Sequence, residues 1–147
     1  LTGLGRCLNV RKLSLNGANV SDLSELRALT KLQDVTLSHC TRRELLIPLH
    51  KSSLTRVTLV DCDLRGDFFH SFDRERALTA LSLTDCELDS TSGLEDFTGL
   101  TELTVRGVSG TFDWSALGSL PLQTVMADAL QADAIAAATT VAVTVVD

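Results

Sequence analysis

Leu32-Gln33-Asp34-Val35-Thr36-Leu37-Ser38-His39-Cys40, Leu54-Thr55-Arg56-Val57-Thr58-Leu59-Val60-Asp61-Cys62 and Leu78-Thr79-Ala80-Leu81-Ser82-Leu83-Thr84-Asp85-Cys86 share one frame, L-x-x-L-x-L-x-x-C, with Val standing for Leu at the fourth place in two copies. The frame continues upstream as Val10-Arg11-Lys12-Leu13-Ser14-Leu15, and downstream as Leu100-Thr101-Glu102-Leu103-Thr104-Val105 and Leu122-Gln123-Thr124-Val125-Met126-Ala127. Its first positions fall at 10, 32, 54, 78, 100 and 122, so the intervals are 22, 22, 24, 22 and 22 residues. Chance does not hold a register over five intervals, and a fixed period in this range marks stacked repeats. Within each copy the apolar residues alternate, as on a strand with one face buried.

The segments between the copies show another spacing. Leu23, Leu26, Leu29 and Leu32 recur every three residues, the period at which side chains eclipse in a 3₁₀ turn, and Leu94, Phe97 and Leu100 repeat it. Two segments depart from that spacing. Between Cys40 and Leu54, the run from Arg42 to His50 contains Pro48 and lacks the apolar residue that Leu64 and Leu88 supply two places after their cysteines. Between Leu64 and Leu78 two extra residues accompany Asp67-Phe68-Phe69-His70-Ser71-Phe72, which predicts a short α-helix capped by Asp67 with the three Phe on its buried side. The alanine-rich stretch from Asp128 to Thr139 predicts a second helix. Leu1, Leu4, Cys7 and Val10 continue the three-residue spacing, and Val143-Thr144-Val145-Val146-Asp147 overlays Val57-Thr58-Leu59-Val60-Asp61. Both ends therefore read as interrupted repeats, and the expectation is one domain, 1–147, belonging to a larger multidomain protein.

The frame resembles the leucine-rich repeat family, in its short 22-residue class typified by internalins, over nearly the whole chain. The resemblance implies an α/β solenoid: a parallel concave sheet of about seven short strands, with 3₁₀ and short α-helical convex returns. Cys40, Cys62 and Cys86 then occupy the ladder position usually held by asparagine, where the side chain bonds to backbone groups of the turn after the strand. A buried thiol does this weakly while filling space.

Composition narrows the function classes. The chain carries 13 basic and 19 acidic side chains, net −6, against general nucleic-acid binding. The sign is unevenly spread: residues 1 to 76 hold 12 Lys or Arg against 9 acids, and residues 77 to 147 hold only Arg106 against 10. The longest uncharged apolar run, residues 134 to 146, is shorter than the roughly 18 residues of a membrane helix, so membrane insertion is not expected. Four cysteines form an even set, but a chain of 147 residues can build a core without staples. Parallel Cβ vectors in an apolar ladder favour neither a metal site nor a disulfide, and buried free thiols suit a reducing, cytoplasmic compartment.

No phosphate-binding loop, H-E-x-x-H or G-x-S-x-G is present. His39, Asp61 and Asp85, each one place before a ladder cysteine, owe their spacing to the repeat; His50 and His70 fall in returns and should face solvent. The reading assigns no catalytic residue, cofactor or metal. The alternate strand positions Ser14, Thr36, Thr58, Ser82, Thr104, Met126 and Thr144 form an outward column, although threonine is also a common strand filler. Arg56, Glu102 and Arg106 flank it with long charged side chains. Arg56, Thr58, Ser82, Glu102, Thr104 and Arg106 are the expected partner-binding residues. Trp114, beside Phe112, is assigned to the core. Family likeness then implies a non-enzymatic module that binds a protein or other macromolecule on the concave face, joined to other domains of its parent chain. Ten Arg against three Lys, with abundant alanine, suits a high-GC bacterial genome, where such solenoids serve as C-terminal sensors of NACHT-type defence ATPases. The alternative is an extracellular internalin-like adhesion module, against which the free cysteines count.

Overall fold

A computed structural model describes residues 2–17, 20–42, 53–66, 68–71 and 77–147. The strands are β1 Lys12–Asn16, β2 Asp34–Ser38, β3 Arg56–Val60, β4 Ala80–Thr84, β5 Glu102–Arg106, β6 Thr124–Ala127 and β7 Val143–Val145. They form one parallel seven-stranded sheet whose spatial order equals their order in the chain. Each strand must therefore be followed by a return to the same starting level, which gives a solenoid-like α/β architecture. The register follows the repeat: Ser14, Thr36, Thr58, Ser82, Thr104, Met126 and Thr144 are successive partners. The two extra residues before Leu78 are absorbed outside the sheet.

Alternation along the strands separates a buried face from an open one. Val35, Leu37, Val57, Leu59, Leu81, Leu83, Leu103, Val105, Val125 and Ala127 are buried, while Thr36, Thr58, Ser82 and Thr104 between them are half-buried. The described returns cover the buried face. The 3₁₀ helix Ser24–Ala28 sets Leu23, Leu26, Leu29 and Leu32 inward, all at most 1% exposed, as the three-residue spacing predicts. Leu94–Asp96 does the same for Leu94, Phe97 and Leu100, and Ser115–Ser119 for Trp114, Leu117 and Leu120. Two of these turns begin on an aspartate: Asp22 Oδ1 accepts from the Ser24 N–H at 2.7 Å, and Asp113 Oδ1 from the Ser115 N–H at 2.9 Å. Hydrogen bonds from Ser24 and Ser115 hold both carboxyls below the usual aspartate range.

A second ladder, of threonines, ties the entrances of the strands together. Thr55 Oγ1 donates to the Gln33 carbonyl at 3.2 Å, Thr79 to that of Thr55 at 3.1 Å, and Thr101 to that of Thr79 at 3.2 Å. Each of these carbonyls also accepts two backbone N–H groups of the following coil, such as those of Thr55 and Arg56 on Gln33. The signal was in the sequence as the dipeptide Leu-Thr, repeated at Leu54-Thr55, Leu78-Thr79 and Leu100-Thr101.

The helix predicted from Asp128 is α1, Ala129–Ala138, with the Asp128 carboxylate accepting from the Gln131 N–H at 3.1 Å as its N-cap. The helix predicted from Asp67 is a 3₁₀ helix, Phe69–Ser71, where it is described; Phe68 and Phe69 are buried as expected, with rings 5.4 Å apart edge to face. Asp67, Phe72 and residues 73–76 lie outside the described residues, as does most of the proline-containing segment, residues 43–52. Trp114 is a core residue, 2% exposed. Its indole N–H donates at 3.1 Å to Oε1 of Gln131, whose Nε2 in turn donates to the carbonyls of Val108 and Gly110, both at 2.9 Å. No helix among the described residues is long and apolar enough to cross a membrane.

Candidate binding face of the sheet

The open face of the sheet carries three rows of side chains. Its central row is the hydroxyl column, in which Thr58, Ser82 and Thr104 lie on adjacent strands, partnered in register and half-exposed. The row at the strand entrances is Lys12, Asp34, Arg56, Ala80, Glu102 and Thr124. Here the structure alters the expectation that Arg56 and Glu102 project freely. The Arg56 guanidinium donates to Glu102 Oε2 at 2.9 Å, although the two residues sit two strands apart. The intervening strand offers only Ala80 at that level, so the bridge passes over a methyl group and leaves Ala80 3% exposed. Both partners remain half-exposed, and such a pair is worth about 0–1 kcal/mol. Lys12 pairs in the same way with Asp34 at 3.1 Å. The row is largely self-neutralised.

The third row is Asn16, Ser38, Val60, Thr84 and Arg106. Arg106 is exposed and makes no ion pair among the described residues. It is the only Lys or Arg in residues 77 to 147. Of the six residues assigned to binding, Thr58, Ser82, Thr104 and Arg106 thus face outward with their polar groups accessible. Arg56 and Glu102 face outward but engage each other first.

Beyond this row the chain turns back through His39, Asp61, Asp85 and Gly107, the residues that follow β2, β3, β4 and β5. All four take the left-handed conformation, with φ of 56°, 51°, 53° and 61°. Asp and His are among the residues other than glycine that adopt this conformation more readily than most. His39 Nδ1 lies 2.7 Å from Asp61 Oδ2, both exposed. Gly107 answers a closer constraint: a Cβ there would overlap Asp85 Oδ1, and its N–H donates to Asp128 Oδ2 at 2.5 Å. These groups are explained by turn geometry. Among the described residues no group of three or more His, Cys, Asp or Glu is placed to hold a metal ion. His70 is exposed in its return, as expected, and its Nε2 lies 2.8 Å from Ser92 Oγ.

One place further on, Cys40, Cys62 and Cys86 are free and buried, while Cys7 is free and exposed. Each ladder thiol donates back to the carbonyl two residues before it: Cys40 to Ser38 at 3.8 Å, Cys62 to Val60 and Cys86 to Thr84 at 3.4 Å. Cys62 and Cys86 also reach the preceding coil, at Leu37 O (3.8 Å) and Leu59 O (3.5 Å). The thiols face one another. The neighbouring Cys62 thiol, then burial, pushes the Cys40 and Cys86 thiols up, and contact with both neighbours holds Cys62 below them.

No protein-family model matches the chain. No curated protein matches it either.

Proposed function

We propose that the chain is a recognition module of leucine-rich repeat type, which binds a protein or other macromolecular partner on the open face of its sheet without catalysing a reaction. The observation that carries the reading is the in-register row of half-exposed hydroxyls, Thr58, Ser82 and Thr104, on strands whose other face is fully buried. A parallel sheet is ordinarily covered on both faces. One face held open, with hydroxyls, one free guanidinium and an ion pair, suits a partner met through breadth and charge pattern rather than through an aromatic anchor. The family likeness and the arginine-rich composition extend the reading to a cytoplasmic bacterial protein in which this module is the C-terminal sensor of a NACHT-type ATPase. Free, buried thiols support a reducing compartment over the adhesin alternative.

Replacing Thr58 or Ser82 with a photo-crosslinking residue tests the site, with the same residue at Arg27, on the return side, as the control. A partner crosslinked from positions 58 and 82 and not from 27 supports the reading. Its affinity should then fall on Arg106→Glu with unfolding unchanged. A partner captured from position 27 alone moves the site to the returns.

A further inference from the structure

The cysteine ladder has a property that neither packing nor recognition uses. Cys40, Cys62 and Cys86 stand at equivalent places in three successive coils, fixed on both sides by backbone pairing. Before them, Leu37, Leu59 and Leu83 are register partners. After them, the Asp63 N–H donates to the Cys40 carbonyl and the Glu87 N–H to that of Cys62, both at 3.0 Å. Strand spacing then sets neighbouring Cα atoms about 4.8 Å apart, inside the roughly 4.4–6.8 Å range that a disulfide spans. Cys40 and Cys86 are two coils apart, about 9–10 Å, and cannot be joined.

We propose that Cys62 is an oxidation site with two alternative resolving partners, at which a peroxide converts the thiol ladder into one disulfide, Cys40–Cys62 or Cys62–Cys86, and one remaining thiol. In the first step the Cys62 thiolate attacks the peroxide O–O bond, giving Cys62 sulfenic acid and releasing hydroxide, with sulfur oxidised and the peroxide reduced. In the second, the sulfur of Cys40 or Cys86 attacks the sulfenic sulfur; the S–S bond forms, and the sulfenic oxygen leaves with the proton as water. Cys62 is the ladder thiol with a ladder neighbour in register on both sides, so either disulfide includes it. Burial makes the reaction slow, since the peroxide enters only when a coil opens locally. The parallel Cβ vectors strain the product, so it is readily reduced.

The test is peroxide treatment of the folded Cys7→Ser protein, followed by denaturation and counting of alkylatable thiols. The parent should lose two of its three thiols and recover both with dithiothreitol. Cys40→Ala and Cys86→Ala should each lose both that remain, whereas Cys62→Ala should lose none. Where Cys62→Ala does not fold, Cys62→Ser serves, and should likewise lose neither of the two thiols that remain. The proposal is overturned if the folded parent loses no thiols, if the loss resists dithiothreitol, or if Cys62→Ala still forms a disulfide.

Discussion

Leu83 and Ser82 are neighbours on β4 with opposite fates: Leu83 is fully buried, and Ser82 stands half-exposed between Thr58 and Thr104. Leu83→Ala should cost about 2–5 kcal/mol in urea unfolding, from lost transfer energy and the cavity left behind. Ser82→Ala should change stability by less than about 0.5 kcal/mol. Equal losses would refute the face assignment. That assignment was legible in the sequence because the pleat alone sends alternate side chains to opposite faces. Gly107 was not legible. Its neighbours in the column are His39, Asp61 and Asp85, which take the same φ with side chains, so glycine is required there by the Asp85 carboxylate as much as by the backbone. Gly107→Ala should cost about 1–2 kcal/mol or more for the left-handed conformation, with the overlap added. Removing the carboxylate in Asp85→Ala/Gly107→Ala should recover the overlap and not the backbone part, so the two losses are less than additive. Strict additivity would mean the contact is relieved some other way.

At the scale of the element, α1 is held by polar groups rather than by a broad apolar face: Ala132 and Ile135 are buried beside Gln131. Gln131 is 1% exposed, and its amide is the acceptor for Trp114 and the donor to Val108 and Gly110. Gln131→Leu keeps the volume and strands the indole N–H and two carbonyls, a cost of about 1–3 kcal/mol for each group left unsatisfied. The change should also shift the fluorescence of Trp114, the chain's one tryptophan. An unchanged spectrum with unchanged stability would mean that water replaces the amide. Composition predicted this helix and its Asp128 cap because both signals are local. The role of Gln131 comes from residues 17 to 23 positions away, and no spacing rule points there. The Arg56 and Glu102 pair was hidden for the same reason: it depends on Ala80, on the strand between them, being small. A third element-scale test concerns the aspartates that open two 3₁₀ turns. The pKa values of Asp22 and Asp113 are depressed in the fold, so their contribution is present above the ordinary aspartate pKa and is lost as pH falls through the lower folded values. Carboxyl titration by NMR should place both below the exposed-aspartate range. Ordinary values would remove the acid-dependent contribution of these turns.

Across the whole molecule, the main contacts between described elements join neighbouring coils, with the exposed Arg56–Glu102 pair reaching one coil further, so stability is close to a sum of coil terms and nearest-neighbour terms. Burial along the sheet shows how this sum varies. The inward residues of β2 to β5 are at most 2% exposed, whereas Leu13 and Leu15 on β1 are only partly buried, and β7 leaves Val145 57% exposed. β1 and β7 also have one pairing partner each. Opening either edge strand breaks a single interface and exposes little new apolar surface; opening β4 breaks two and exposes Leu81 and Leu83. Native-state hydrogen exchange should therefore show protection highest for amides that bond across the middle of the sheet, such as His39 to Val60, Asp61 to Thr84 and Asp85 to Arg106. It should fall toward Val146, whose N–H bonds to Ala127 beside β7. Leu83→Ala should lower protection in β3 and β5 before it reaches β1 or β7, because the defect spreads through neighbour interfaces only. Uniform protection across all seven strands, lowered equally everywhere by that substitution, would show a single cooperative unit and reject the nearest-neighbour account.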